Sequence, residues 1–389
     1  MLLLEARRTL GGRARFEERE GFVLDYGIHG HRFGGSGPAA RVFAEMGESL
    51  ELIKPSGGVI YHRGKVFESP SRPLDMLRTP LLPAGTKAAV GRAVARIAWR
   101  NPTRIYRRTV GEMLPRRFPA EARFFVSVIC GLGLISPDLA ETSAGELSWF
   151  LRRVARAEDP LAFPVGGCRQ HVRRLSGKIL ESGEIRTGVR VERVLVEDGS
   201  AAGVECRQGL LRSRAVVLAL PLPRAAELVP PGVLGSALEA RMKAIRPTAG
   251  LSWDVAISRK LTDVHTATCT EPLVIGAFTS NIDVDMSPPG RQLSTWCMPL
   301  PLSEFRSAGT LRREEERLRK TVFDMFPSLE ENLLWERMQR LPVIDGAVPA
   351  HDQPWPARPG VADSGVPGEG GDIAFRSALE CAGAVRDYG

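Results

Sequence analysis

Leu2–Leu3–Leu4–Glu5–Ala6–Arg7–Arg8–Thr9–Leu10–Gly11–Gly12–Arg13–Ala14 is the stretch from which the rest of the 389-residue chain is read. A short apolar run that ends in an acid reads as a buried parallel strand whose carboxylate lies at its C-terminal edge, where open α/β sheets bind their ligands. Glu5 is then suited to hold a ribose diol. Gly11 and Gly12 let the backbone turn tightly and approach a ligand closely, and Arg13 is a permanent cation suited to a phosphate.

Glu5–Ala6–Arg7 followed by Gly11–Gly12–Arg13–Ala14 resembles the second strand and following loop of FAD-dependent amine oxidases, protoporphyrinogen oxidases and phytoene-desaturase-like enzymes. The resemblance implies FAD as cofactor. It also implies an α/β fold with a Rossmann-like, glutathione-reductase-like FAD-binding domain interleaved with an α+β substrate domain. In that family a strand, a Gly-rich turn and a helix precede the acid, which lies about 20 residues beyond the glycines of a dinucleotide fingerprint. Relative to a complete member, roughly 25–30 residues are wanting before Glu5, so the resemblance implies an N-terminally truncated domain.

Two further stretches carry the resemblance. Phe22–Val23–Leu24–Asp25–Tyr26–Gly27–Ile28–His29 reads as a strand running into a glycine turn and matches the family's Asp-x-Gly segment, which makes Gly27 and His29 candidate walls of an active site. Phe163–Pro164–Val165–Gly166–Gly167 before a helix matches the return to the FAD domain, with Val172, Leu175 and Ile179 on one helical face. Strand signals follow at Val189–Val191 and Val194–Val196, then a turn at Asp198–Gly199, then Gly203–Val204 and Ala215–Leu220. By resemblance, the backbone at Val191 lies against the adenine and the strand ending at Pro221 re-enters the parallel sheet.

Near the C-terminus, Gly360–Val361–Ala362–Asp363 and Gly368–Glu369–Gly370–Gly371–Asp372–Ile373 look like the closing FAD motif. Gly371 allows close approach to the isoalloxazine, and Asp372 caps the helix that begins there, whose apolar face runs through Ala378, Leu379, Ala382 and Val385. Asp363 is placed near the ribityl or pyrophosphate.

Between these pieces, Gly34–Pro38 opens a helix, Val59–Phe67 reads as a hairpin turning at Arg63–Gly64, and residues 83–118 are helical and basic, a pattern that also suits a membrane surface. Phe124–Leu134 reads as a buried helix lining a greasy pocket, Ser252–Ile257 and Leu273–Phe278 as strands, and Leu311–Phe326 as a helix. The implied division is 1–60, 160–225 and 342–389 for the FAD-binding domain, with 61–159 and 226–341 for the substrate domain.

Composition sets limits on function. The net charge of +8 comes from dispersed arginines, which gives nucleic-acid binding a weak claim. Six widely spaced cysteines without a C-x-x-C pair argue for reduced thiols and against zinc. A cytoplasmic location is expected, with peripheral membrane contact open. The leading expectation is an FAD-dependent oxidoreductase that removes hydride equivalents from an apolar small molecule such as a polyene or isoprenoid, without an assigned catalytic side chain. A flavin amine oxidase, a protoporphyrinogen oxidase and a non-catalytic remnant of the family are the alternatives.

Overall fold

A computed structural model describes residues 1–27, 30–70, 75, 78–353 and 373–388. Its largest sheet has seven strands in the order Leu333–Leu341, Ala249–Ile257, Gln292–Leu300, Leu273–Ala277, Thr266–Thr270, Gly58–His62 and Lys65–Glu68. Neighbours are antiparallel except Gly58–His62, which runs parallel to Thr266–Thr270.

Side chains alternate across a strand, so the two faces of this sheet differ. Leu251, Trp253, Val255 and Ile257 point to one face and pack with Leu311, Leu318 and Val322 of the Ala308–Met325 helix. Removing a side chain of this kind from water contributes about 1.5–3 kcal/mol. The intervening Ser252, Asp254 and Ala256 face the other way. Ala256 packs there against Phe22, Val23 and Leu24 of the strand Phe22–Asp25.

A second core joins the helices Ala84–Ala98, Ala120–Leu134 and Ala144–Val154 through Val90, Ile97, Phe125, Val126 and Leu147. Ile60 and Phe67 of the predicted hairpin pack against it. The opening strand is Leu2–Glu5, paired in parallel with Glu184–Thr187, and Val191–Glu197, Ser200–Cys206 and Gly209–Arg212 form a three-stranded sheet. All six cysteines are free, five of them buried.

Two expectations are corrected. Ala215–Leu220 lies outside every strand, and Val217 is 55% exposed. Its apolar, β-branched run suits a strand, but a strand forms only with a hydrogen-bonding neighbour, and among the described residues none pairs with it. In the Ile373–Tyr388 helix, Ser377 is buried among the described side chains, whereas Ala378 and Ala382 are exposed. Cys381, Ala384 and Val385 border an apolar groove of about 410 Å³ with Val216, Leu218 and Leu222.

Candidate cofactor and active site

The opening strand ends at Glu5, whose Oε1 accepts the Arg7 N–H at 2.7 Å. Register sets Glu5 beside Thr187, after which Gly188 N–H donates to the Arg7 carbonyl at 2.8 Å and Val189 N–H to the Glu5 carbonyl at 3.0 Å. The segment leading into Val191 is thereby laced to Glu5–Ala6–Arg7. A half-buried carboxylate and an exposed loop share one edge, as a nucleoside site requires.

Gly11 and Gly12 both have positive φ, 104° and 55°, and lead into a 3₁₀ turn over Gly12–Ala14. Their purposes differ. A Cβ at Gly11 would lie 2.8 Å from Val172 Cγ2, so this glycine lets the loop pack on the Cys168–Leu180 helix. A Cβ at Gly12 would meet nothing within 4 Å, which leaves open space beside the backbone for a ligand. Arg13 is half-buried and donates from Nη1 to the Ile344 carbonyl at 3.0 Å, and Ala14 N–H closes the turn on Gly11.

The same helix begins at a small cavity of about 20 Å³ bordered by Asp25, Gly27, Gly167, Asp283, Met286 and Thr295. Two carboxylates hold the turn that enters the helix. Asp283 Oδ2 accepts Gly166 N–H at 2.6 Å, and Asp25 accepts Cys168 N–H at 3.0 and 3.2 Å to its two oxygens. Gly167 has φ 64°, and a Cβ there would sit 2.8 Å from Asp25 Oδ2 and 3.0 Å from Met286 Cε. Burial, then the Asp254 charge, push the Asp25 carboxyl up to about 7 against the pull of Cys168 and Arg337. Burial, then Asp25, likewise raise the Cys168 thiol well above its ordinary range.

Behind Asp25 lies a buried ionic cluster on the polar face of the large sheet. Asp254 is 0% exposed and receives Arg337 Nε at 2.9 Å, Gln339 Nε2 at 2.8 Å and Thr295 Oγ1 at 2.8 Å. These three groups stand on the strands flanking Asp254. Burial still raises its carboxyl above the ordinary range, since desolvation outweighs the pull of its partners. Arg337 also donates to Glu17 Oε2 at 2.8 Å and to the Asp25 main-chain carbonyl, and Tyr26 lies under both Arg15 and Arg337.

The helix is braced a third time by His171. Its Nε2 lies 2.8 Å from Nε2 of buried His31, one ring donating to the other. His31 pairs with Ala162 in the strand Leu161–Pro164 that feeds the Gly166–Gly167 turn.

Glu5, Ala6, Arg7 and the lead into Val191 come together at one end of the site, Gly11–Ala14 pack on the helix, and Gly27 joins Gly167 at the cavity. His29, Asp363, Gly371 and Asp372 lie outside the described residues, as does the side chain of Ile373. Asp254, Asp283, Thr295 and Arg337 carry no motif in the sequence that marks them as site residues. The one signal is an acid, Asp254, inside the largely apolar strand Ala249–Ile257. The open backbone at Gly12, the carboxylate at the strand edge and the half-buried Arg13 fit an FAD molecule.

Residues 1–252 match the family model described as flavin containing amine oxidoreductase. None of the curated proteins compared matches the chain. Among solved structures, an oxidoreductase from Methanosarcina mazei is similar at 17% identity and TM-score 0.74, covering 97% of this chain and 94% of that one. The PF1083 protein from Pyrococcus furiosus is similar at 17% identity and TM-score 0.70, covering 99% and 91%. Cyclohexylamine oxidase from Brevibacterium oxydans IH-35A is similar at 15% identity and TM-score 0.65, covering 99% and 93%.

Proposed function

The chain belongs to the flavin-containing amine oxidoreductases and is an FAD-dependent oxidoreductase, and from that premise we propose that it removes hydride equivalents from a largely apolar substrate of polyene or isoprenoid type. Bound FAD supplies the hydride acceptor. Glu5 holds the adenosine ribose, the backbone at Val191 meets the adenine, Arg13 and the open edge of Gly12 face the phosphates, and Gly27 stands at the flavin end. Residues 1–60, 160–225 and 342–389 serve the cofactor, and 61–159 with 226–341 serve the substrate.

The observation that carries the apolar reading is the wall of the cavity at Gly27, where Val23, Phe163, Ile282 and Met286 stand beside Asp25 and Asp283. No tyrosine borders this cavity among the described residues. An aromatic cage for an amine is therefore not the arrangement favoured here. The test is anaerobic mixing of the FAD-loaded protein with a panel of polyenes, isoprenoids and primary amines. Flavin bleaching by a polyene or isoprenoid is expected, and bleaching by amines alone would overturn the substrate class.

The same reading includes contact with a membrane surface and none with nucleic acid. Arg92, Arg96 and Trp99 recur at helical spacing and are all exposed, Trp99 at 88%. An aromatic ring beside guanidinium groups suits the interface of an anionic bilayer. No described helix is long and apolar enough to cross a membrane.

A further inference from the structure

We propose that Asp25 is the proton-accepting residue of the oxidation. A substrate that loses two hydrogens sends one, with its electron pair, to the flavin, and the other, as a proton, through a water in the Asp25 cavity to the Asp25 carboxylate. Two bonds to hydrogen break and one double bond forms in the substrate, the flavin is reduced by the electron pair, and the carboxylate becomes a carboxylic acid that later returns its proton to solvent. The proposal rests on the family's oxidoreductase chemistry and is independent of the substrate class.

The cavity is the first observation. At about 20 Å³ it has room for a single water. Asp25, Asp283 and Thr295 border it and supply the polar partners that such a water needs.

The second observation is a contrast between two carboxylates. An ionised carboxylate offers about four lone-pair positions. Asp254 fills its own with a guanidinium, an amide and a hydroxyl. Among the described residues, Asp25 receives only the Cys168 amide, shared between its oxygens, and the Cys168 thiol. Arg337 reaches Asp25 at the main-chain carbonyl and spends its charge on Asp254 and Glu17.

The titratable and charged groups facing Asp25 are thus Cys168 from the helix, Asp254 and Arg337 from the sheet, Asp283 across the cavity, and Glu17 behind Arg337. Acids outnumber the cation, and that cation is engaged. Asp25 has fewer donors than Asp254 and, unlike it, borders the cavity, and burial with the Asp254 charge places its proton exchange at about 7. A general base held at such a value contributes about 10²–10⁴-fold to a rate.

The test compares FAD-loaded wild type with Asp25→Asn, which keeps an oxygen for the Cys168 amide. In an infrared titration, wild type is expected to lose a protonated-carboxyl band as pH rises through neutrality, and Asp25→Asn to lack that change. In rapid mixing with a substrate that bleaches the flavin, the wild-type rate is expected to rise over the same range. In Asp25→Asn it falls about 100-fold or more and the rise disappears. A variant with the wild-type rate and pH profile, or an unchanged infrared titration, would overturn the proposal.

Should Asp25→Asn fail to fold, Asp254→Asn decides. Removing the like charge is expected to move the infrared midpoint downward, and an unmoved midpoint overturns the proposal. A panel in which no polyene or isoprenoid bleaches the flavin defeats the substrate reading alone, because the infrared titration needs no substrate.

Discussion

Arg337 and Asp254 face each other on neighbouring strands, Nε to Oδ2 at 2.9 Å, with the carboxylate wholly buried. Removing one member of a buried pair leaves an uncompensated charge, which costs about 3–5 kcal/mol. Arg337→Met is expected to lower stability by that amount in urea unfolding at neutral pH. Adding Asp254→Asn should recover part of the loss, so that the double variant is less destabilised than the sum of the singles.

Asp25 makes stability depend on pH in a defined direction. Its folded value is raised from 3.8 to about 7, so the folded protein holds a proton that the unfolded chain has already released. The corresponding stabilisation is present in full below about 3.8 and is lost as pH rises to about 7. Unfolding midpoints measured across this range should therefore fall for wild type relative to Asp25→Asn, with a constant difference above it.

Gly167 occupies a left-handed conformation with Asp25 and Met286 pressed against the position of a Cβ. Gly167→Ala is expected to cost about 1–3 kcal/mol and to displace the Asp25 carboxylate. Thermal unfolding reports the first effect, and a shifted midpoint of the infrared carboxyl titration reports the second.

Glu5 lies at the rim of the proposed cofactor site and, among the described residues, its side chain accepts only the Arg7 amide. Loss of a charge-assisted hydrogen bond of about 1.5–3 kcal/mol corresponds to roughly a 10- to 100-fold rise in the FAD Kd for Glu5→Ala. Fluorescence titration with FAD measures it, and circular dichroism should stay unchanged.

Trp99→Ala tests the proposed membrane face. Cosedimentation with vesicles containing phosphatidylserine is expected to fall several-fold, and added salt should weaken the wild-type interaction because Arg92 and Arg96 contribute through charge.

The sequence made elements with strong local signals legible. Pro38 with the apolar spacing of Ala39 and Phe43 gave the Pro38–Glu45 helix, and Arg63–Gly64 gave the hairpin between Gly58–His62 and Lys65–Glu68. Pro164 to Gly167 marked the start of the Cys168–Leu180 helix. Glu184–Thr187 has no such signal, since its one apolar residue, Ile185, carries no period. Ala215–Leu220 shows the opposite failure, in which a strong strand composition meets no ladder. The inner acids were hidden for a different reason: Asp254 and Arg337 meet through sheet register across 83 residues, and no local spacing encodes that.

The parallel pairing of Gly58–His62 with Thr266–Thr270 joins residues far apart along the chain, such as His62 and Thr270 at a separation of 208. During synthesis at about 5–20 residues per second, the hairpin that includes His62 emerges some 10–40 s before its partner strand exists. Both edges of the hairpin are then open, the Gly58–His62 edge until its partner arrives and the Lys65–Glu68 edge, with Val66 exposed, in the finished protein too, and chaperones or neighbouring chains meet them first. Yield in a cell should accordingly respond to translation rate and chaperone supply more than to the stability of the finished molecule.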